Sequence, residues 1–108
     1  MVVVAKYLIP KGYVALTVFP FVFLRGKEGL DDAVLLNHEK IHLRQQAELL
    51  IVFFFIWYFS EFLWRFFQNG NWAKAYRAIS FEKEAYANEI KLSYLKNRPF
   101  WHFLNFIR

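Results

Sequence analysis

The stretch "LLNHEKIHLRQQ", residues 35–46, contains two of the chain's three histidines. His38 and His42 lie four residues apart, and Glu39 follows the first of them, which gives the pattern H-E-x-x-H. On an α-helix, residues i and i+4 lie on one face, one turn apart. Two imidazoles placed in this way can bind one zinc ion through ring nitrogens at about 2.0–2.1 Å. Glu39 is rotated by about 100° around the helix axis, beside the position where a metal-bound water would lie.

The surroundings of the motif predict a partly buried helix. Asp31 is a candidate N-cap, because its carboxylate can accept from the free amides of the first turn. No Gly or Pro follows before Gly70, so the helix is expected to run far beyond the motif, with a break near Ser60 as one option. The segment "QNGN" at 68–71 is the clearest helix stop. Apolar residues flank the histidines at Val34, Leu35, Leu36, Ile41 and Leu43.

The segments before the motif predict small antiparallel strands. Residues 2–9 and 13–24 are rich in β-branched and aromatic side chains, and the turn signal "PKG" at 10–12 separates them. Pro20 cannot donate to a β-ladder, so the second strand is expected at a sheet edge.

The segments after the motif predict further helices, and the fold class is therefore α+β. One helix is expected to start near Asn71 or Trp72. Ser80 is a candidate N-cap for another helix, "FEKEAYANEIKLSYLKN", which ends before Pro99. A length of 108 residues suits a single domain, so we expect one mainly helical domain over 1–108 with the strands packed against it.

A third metal ligand is available in the acidic segment "ISFEKEAYANE", residues 79–89. A catalytic zinc site with two histidines needs one more protein ligand and one open position. Glu82 and Glu84 both lie on the predicted second helix, and either can complete a His-His-Glu set. The residues alone leave both open.

Together, "NHEKIHLRQQ" and "FEKEAYANE" resemble the gluzincin metallopeptidases, in particular the single-domain minigluzincins and their small bacterial relatives. The resemblance implies that both motif histidines and a downstream glutamate bind zinc and that Glu39 is the general base. It favours Glu82 as the third ligand, with Glu84 as the alternative. It also implies an edge strand over the cleft, within residues 13–24, which holds an extended peptide substrate.

The sequence differs from the gluzincin pattern at one position, which supports a ligand histidine in that family. Four residues after the third ligand, gluzincins commonly carry an Asp that supports a ligand histidine. That position is Tyr86 if Glu82 is the ligand and Asn88 if Glu84 is. A hydroxyl or amide oxygen accepts from an imidazole N–H more weakly than a carboxylate does.

The activity that the resemblance implies is zinc-dependent peptide hydrolysis, as in a metalloendopeptidase.

Three other residues are weighed for a role. Tyr76 and Arg77 precede the second motif, and either can stabilise an oxyanion, although ordinary helix positions are the favoured interpretation. His102 lies in the aromatic tail "PFWHFLNFIR", residues 99–108. A packed or surface histidine is favoured there, and the alternative is a tail that caps the zinc and makes the enzyme latent. Gln45 and Gln46 are assigned no chemistry.

Composition restricts the partners. Hydrophobic residues make up 57% of the chain and aromatic residues 22%, which is hard to bury in 108 residues, so contact with a membrane surface or with a second copy stays open. The net charge of +5 comes from scattered Lys and Arg, so no nucleic acid partner is expected.

The chain has no cysteine, so a metal must use His, Asp or Glu. Because Lys6 interrupts the apolar start, no secretory signal is expected, and the location is cytoplasmic or membrane-associated.

The apolar run "LLIVFFFIWYF", Leu49 to Phe59, carries the main alternative function. A membrane-spanning helix needs about twenty apolar residues, so a buried core helix is favoured over one lying in a membrane surface. If the second interpretation holds, the chain is a peptidase-like module that binds membrane or protein without turnover.

Overall fold

The computed structural model describes residues 1–9 and 12–107 and confirms the α+β class. The described residues form three short strands and five helices. The strands are β1 (Val2–Val4), β2 (Ala15–Val18) and β3 (Phe21–Leu24). The helices are α1 (Ala33–Glu48), α2 (Val52–Asn69), α3 (Trp72–Ala78), α4 (Ser80–Asn88) and α5 (Tyr94–Asn97).

The sheet has the order β1-β3-β2, which differs from the purely antiparallel arrangement expected. β2 and β3 form an antiparallel hairpin, whereas β1 runs parallel to β3. The predicted strand 13–24 is in fact this hairpin, and its turn contains Pro20. β1 and β2 do run in opposite directions, but β3 lies between them. Pro10 and Lys11, of the predicted turn at 10–12, lie outside the described residues.

Helix α1 begins one residue later than expected and ends earlier. Asp31 closes a 3₁₀ helix, and Asp32 is the N-cap, with its carboxylate accepting from the Leu35 amide at 3.0 Å. The predicted break near Ser60 is wrong, because α1 ends at Glu48. Leu50 and Ile51 have φ of +55° and +24°, and α1 and α2 are bent by 113°. No glycine marks this turn, so the usual sequence signal for positive φ is missing.

The later helices follow the predicted order with two changes. Gly70, at φ +63°, ends α2 as predicted. Ser80 is the first residue of α4 and not its N-cap; its N–H and hydroxyl donate to the Glu61 carboxylate of α2. The predicted helix to residue 97 stops at Asn88, where the Asn37 side chain donates to three carbonyls at the end of α4. This contact fastens the end of α4 to α1.

The core lies between α2, α4 and the aromatic tail. The Phe81 ring lies 4.5 Å from the rings of both Phe54 and Phe103. Phe103 is fully buried in a 3₁₀ helix at His102–Phe106. The tail is therefore part of the core. The buried apolar cluster consists of Leu49, Phe54, Ile79, Phe81 and Phe103.

Helix α2 is apolar on both sides, so the expectation of a buried core helix holds for one side only. Phe54 faces the core, whereas Phe53 and Ile56 are mostly exposed. None of the described helices is, by itself, long and apolar enough to cross a membrane. α1 and α2 taken together pass a test of length and composition, with the 113° bend between them.

Candidate metal centre

Three side chains converge at the contact between α1 and α4. The Nε2 atoms of His38 and His42 lie 3.2 Å apart. Glu82 Oε1 lies 3.3 Å from the first and 3.2 Å from the second. All three residues are buried. The i, i+4 spacing places the imidazoles on one face of α1, and Asn37 holds the end of α4 against that helix.

Hydrogen bonds on the other side of each ring orient both imidazoles. His38 Nδ1 lies 2.8 Å from Glu89 Oε1, and a carboxylate can only accept, so Nδ1 carries the hydrogen. His42 Nδ1 lies 2.8 Å from Gln45 Oε1. The Gln45 amide nitrogen donates to Phe81 O and to Glu84, so the amide oxygen faces His42 and accepts from it. In their neutral forms both rings therefore direct an Nε2 lone pair at Glu82 Oε1.

This triangle has the size that a tetrahedral metal ion needs. Ligand atoms at about 2.0–2.1 Å from zinc, separated by tetrahedral angles, lie about 3.3–3.4 Å from one another. The three observed separations are 3.2–3.3 Å. Three electron-pair donors at these distances repel one another unless a cation or an additional proton lies between them. The donor set of two imidazoles and one carboxylate is of the kind that binds zinc.

Glu39 lies beside the triangle. Its Oε2 is 3.9 Å from His38 Nε2, and its Oε1 accepts from the Thr17 hydroxyl of β2 at 2.6 Å. Thr17 thus fixes one carboxylate oxygen and leaves the other beside the three converging atoms. A carboxylate in this position can exchange a proton with a neighbouring water.

The second oxygen of Glu82 is held by Tyr58 of α2, whose hydroxyl donates to Oε2 at 2.8 Å. Burial, together with the nearby Glu82 carboxylate, raises the pKa of Tyr58 far above its usual range, so this hydroxyl stays protonated. Because Tyr58 occupies Oε2, Oε1 is left to face the two histidines. This arrangement suits a carboxylate that binds a metal through one oxygen.

Without a metal, a proton on His42 balances the charge of the cluster. Burial alone would lower the pKa of His42, but the Glu82 carboxylate outweighs burial and raises the pKa to about 9. Burial would raise the pKa of Glu82, and the two histidines instead hold it far below its usual range. The metal-free cluster is therefore a buried ion pair at neutral pH.

The metal-free protein is expected to lose stability as the pH rises from 6.5 to about 9. The folded state keeps the His42 proton up to about pH 9, whereas an ordinary histidine loses it near 6.5. The stabilisation is thus complete below pH 6.5 and is lost as the pH passes the folded pKa. Thermal melts of chelated protein check this. In the His42→Gln variant, the melting temperature should fall less between these two pH values. Bound zinc needs neutral imidazole, so its stabilisation of the wild type should increase at higher pH. If the melting temperatures of wild type and variant change equally with pH, the proton is not on His42.

Two cavities meet at Glu39. The larger, of about 710 Å³, reaches from α1 to α3 and α4 and includes His38. The smaller, of about 380 Å³, is walled by aromatic side chains of α2 and includes His42 and Glu82. Leu16 and Thr17 of β2 line the smaller cavity. The two cavities, together called the cleft, have all three convergent residues among their lining residues.

Of the two residues weighed for oxyanion stabilisation, Tyr76 has the better position. Tyr76 lines both cavities, and burial, then Glu82, raises the pKa of its hydroxyl, which stays protonated. A protonated hydroxyl can donate to a substrate oxygen. Arg77 lines only the larger cavity of the two, and its guanidinium lies 4.0 Å from the centre of the Tyr86 ring.

Glu84, the alternative third ligand, lies away from the histidines. Its fully buried carboxylate binds Arg98 through Nε and Nη2, and it accepts from the Tyr94 hydroxyl at 2.6 Å. Burial would raise the pKa of Glu84, but Arg98 lowers it. Asn88, the support expected with Glu84, donates to the Glu84 carbonyl instead.

Glu89, and not Tyr86, accepts the hydrogen bond from His38 Nδ1. The Tyr86 ring packs edge-on against His38, with centroids 4.5 Å apart, while His38 Nδ1–H donates to the Glu89 carboxylate. Glu89 lies seven residues, or two helical turns, after Glu82, just beyond the end of α4. Glu89 therefore supplies a carboxylate behind His38, where the resemblance implied the weaker acceptor Tyr86.

The tail does not cover the cleft. His102 contacts Asn105 and lies 6.4 Å from the Tyr94 ring. No described residue of 99–107 lines either of the two cavities that meet at Glu39. The favoured interpretation of His102 as a packed or surface residue fits this position. Deleting the tail would remove Phe103 from the core.

Gln45 and Gln46, to which no chemistry was assigned, both support the site. Gln45 orients His42, and Gln46 bonds the hairpin through Thr17 O at 2.8 Å and the Phe19 amide at 2.6 Å. The spacing of Gln45, three residues after His42 on the same helix, was the available signal. No comparable local signal marked Thr17 or Tyr58, because they reach the site from other elements.

Comparisons with known proteins return no matching family, no similar curated protein and no similar solved structure.

Proposed function

We propose that this protein is a zinc-dependent peptide hydrolase in which His38, His42 and Glu82 hold the metal and Glu39 is the general base. The observation that carries the proposal is the convergence of three electron-pair donors at 3.2–3.3 Å, with each imidazole oriented from behind by its own acceptor. A buried ion pair alone does not need two imidazoles aimed at one carboxylate oxygen. The donor types favour zinc among the divalent ions.

His38, His42 and Glu82 would hold the divalent ion, which would act as a Lewis acid that lowers the pKa of a water and polarises a substrate carbonyl. Glu39 then accepts the proton of the attacking water and transfers it to the leaving amine. Thr17 keeps the Glu39 carboxylate in place during both transfers. The protonated Tyr76 hydroxyl donates to the carbonyl oxygen as negative charge develops there.

Substrate binding is assigned to β2 and the cleft. β2 lies at one edge of the described sheet, and its residues form part of the cleft wall. An extended peptide can add to such an edge through backbone hydrogen bonds, while pockets select its side chains. Pro20 lies in the hairpin turn beyond β2, so it removes no amide donor from this strand. The aromatic wall of the smaller cavity favours an apolar side chain.

On this proposal the chain is a minimal gluzincin-like domain. The H-E-x-x-H spacing and the distant Glu82 support that assignment, with Glu89 as the carboxylate behind His38. Phe103 of the tail packs in the core, and the described tail residues line neither of the two cavities, so the proposal does not include a capping tail.

The proposal is tested by hydrolysis of a mixed library of quenched fluorescent peptides. Zinc-loaded protein should cleave, chelation should abolish cleavage, and added zinc should restore it. A protein that binds zinc in this site and cleaves no peptide would instead favour the alternative, a binding module without turnover.

A further inference from the structure

The outer face of α2 is largely apolar and is interrupted by the exposed Ser60. Its apolar residues are spaced one, three or four positions apart, which places them on one side of the helix. Phe67 is 87% exposed and Phe59 is 62% exposed, far above what a packed aromatic shows. The outer face consists of Val52, Phe53, Ile56, Phe59, Leu63, Trp64 and Phe67. A surface of this size on a small protein marks a site of interaction.

The one acidic residue in α2, Glu61, is buried and accepts from Ser80. Glu61 lines a surface pocket with Phe53, Ile56 and Trp64, but it is only 6% exposed. The outer face therefore exposes almost no carboxylate. On its flank, the Arg65 guanidinium lies 4.5 Å from the centre of the Trp64 ring. The outer face is thus mostly apolar, with the Arg65 cation beside Trp64.

Among the described residues, the exposed charged side chains are mostly basic. Only three acidic side chains of the described residues are exposed, and all of them lie just before α1. The exposed acidic residues are Glu28, Asp31 and Asp32, against eight exposed basic residues, Lys6, Lys27, Lys40, Arg44, Lys74, Arg77, Lys91 and Lys96.

We propose that the outer face of α2 binds an anionic membrane surface, with its apolar side chains among the lipid chains and the basic residues at the headgroups. A helix with Phe, Leu and Trp on one side and cations beside it suits the boundary between headgroups and acyl chains. A second copy of this chain presents the same mostly basic exposed charges, whereas anionic lipid offers the opposite charge. The binding is independent of the metal.

Vesicle co-sedimentation tests this proposal. The chain should sediment with phosphatidylcholine vesicles containing about 30% phosphatidylserine at least about tenfold more than with phosphatidylcholine alone. High salt should weaken the binding, and chelation should leave it unchanged.

A matched pair of double variants distinguishes binding through this face from nonspecific hydrophobic binding. Ile56→Ser/Phe67→Ser removes one aliphatic and one aromatic side chain of the face, 59% and 87% exposed. Leu8→Ser/Tyr7→Ser removes an equivalent pair elsewhere, 58% and 97% exposed. We expect Ile56→Ser/Phe67→Ser to lose vesicle binding and Leu8→Ser/Tyr7→Ser to keep it. Circular dichroism should show that both variants are folded. If Ile56→Ser/Phe67→Ser does not fold, the single variant Phe67→Ser is used in its place.

Three results would overturn the proposal. The first is no sedimentation of the wild-type chain with anionic vesicles or equal sedimentation with both vesicle types. The second is equal binding by the two double variants. The third is a dimer that Ile56→Ser/Phe67→Ser dissociates while vesicle binding persists.

Discussion

Replacing Glu39 with glutamine is expected to lower the kcat of peptide hydrolysis by about 10²–10⁴-fold while the protein keeps its metal. Glutamine has nearly the same shape and can still accept from the Thr17 hydroxyl that holds Glu39 at 2.6 Å. It cannot take a proton from water. The loss should therefore appear in kcat, with little change in KM, because Glu39 acts in the transition state and is not a proposed metal ligand.

The control for Glu39→Gln is Glu28→Gln, which removes an exposed carboxylate that lines neither cavity of the cleft. It should retain full activity and metal content. If Glu39→Gln loses zinc in parallel with activity, Glu39 belongs to the ligand set and the division of roles is wrong. If it retains activity, another group is the base.

Replacing Arg98 with methionine is expected to lower the free energy of unfolding by about 3–5 kcal/mol. The Arg98 side chain is fully buried and binds two carboxylates, Glu84 through Nε and Glu48 through Nη1 at 2.6 Å. Methionine has a similar length but leaves both carboxylates buried without their cation. Urea unfolding monitored by circular dichroism measures the loss. Lys96→Met, at an exposed position two residues away, should change stability by no more than about 0.5 kcal/mol.

Arg98→Met should also weaken metal binding, because Glu84 accepts from the Gln45 amide that orients His42. Adding Glu84→Gln to the variant removes one unpaired charge and should recover part of the stability. A loss below about 1 kcal/mol for Arg98→Met would show that this buried cluster adds little to the fold.

Local periodicity predicted the features that depend on helix geometry. The spacing of His38 and His42 places both rings on one face of any helix, whatever the rest of the chain does. Gly70 could be recognised as a helix end because glycine adopts positive φ at little cost. The choice between Glu82 and Glu84 came from a family resemblance. The feature that separates the two glutamates physically, the buried cation Arg98, lies 14 residues beyond Glu84.

Features set by tertiary contacts were beyond local sequence reasoning. The turn at Leu50 and Ile51 has no glycine or proline signal, and it lies inside an apolar run that predicts unbroken helix. The parallel pairing of β1 depends on where β3 lies, which strand propensity does not specify. Glu89 could not be recognised as the partner of His38 because Asn37 determines how the end of α4 meets α1.

The most direct test of the metal centre is elemental analysis of protein purified without added metal, with the same measurement on His42→Ala. One zinc per chain in the wild type and almost none in the variant is the expected result. No bound metal in the wild type, even after exposure to zinc, or equal metal in both proteins, would contradict the proposed site at His38, His42 and Glu82.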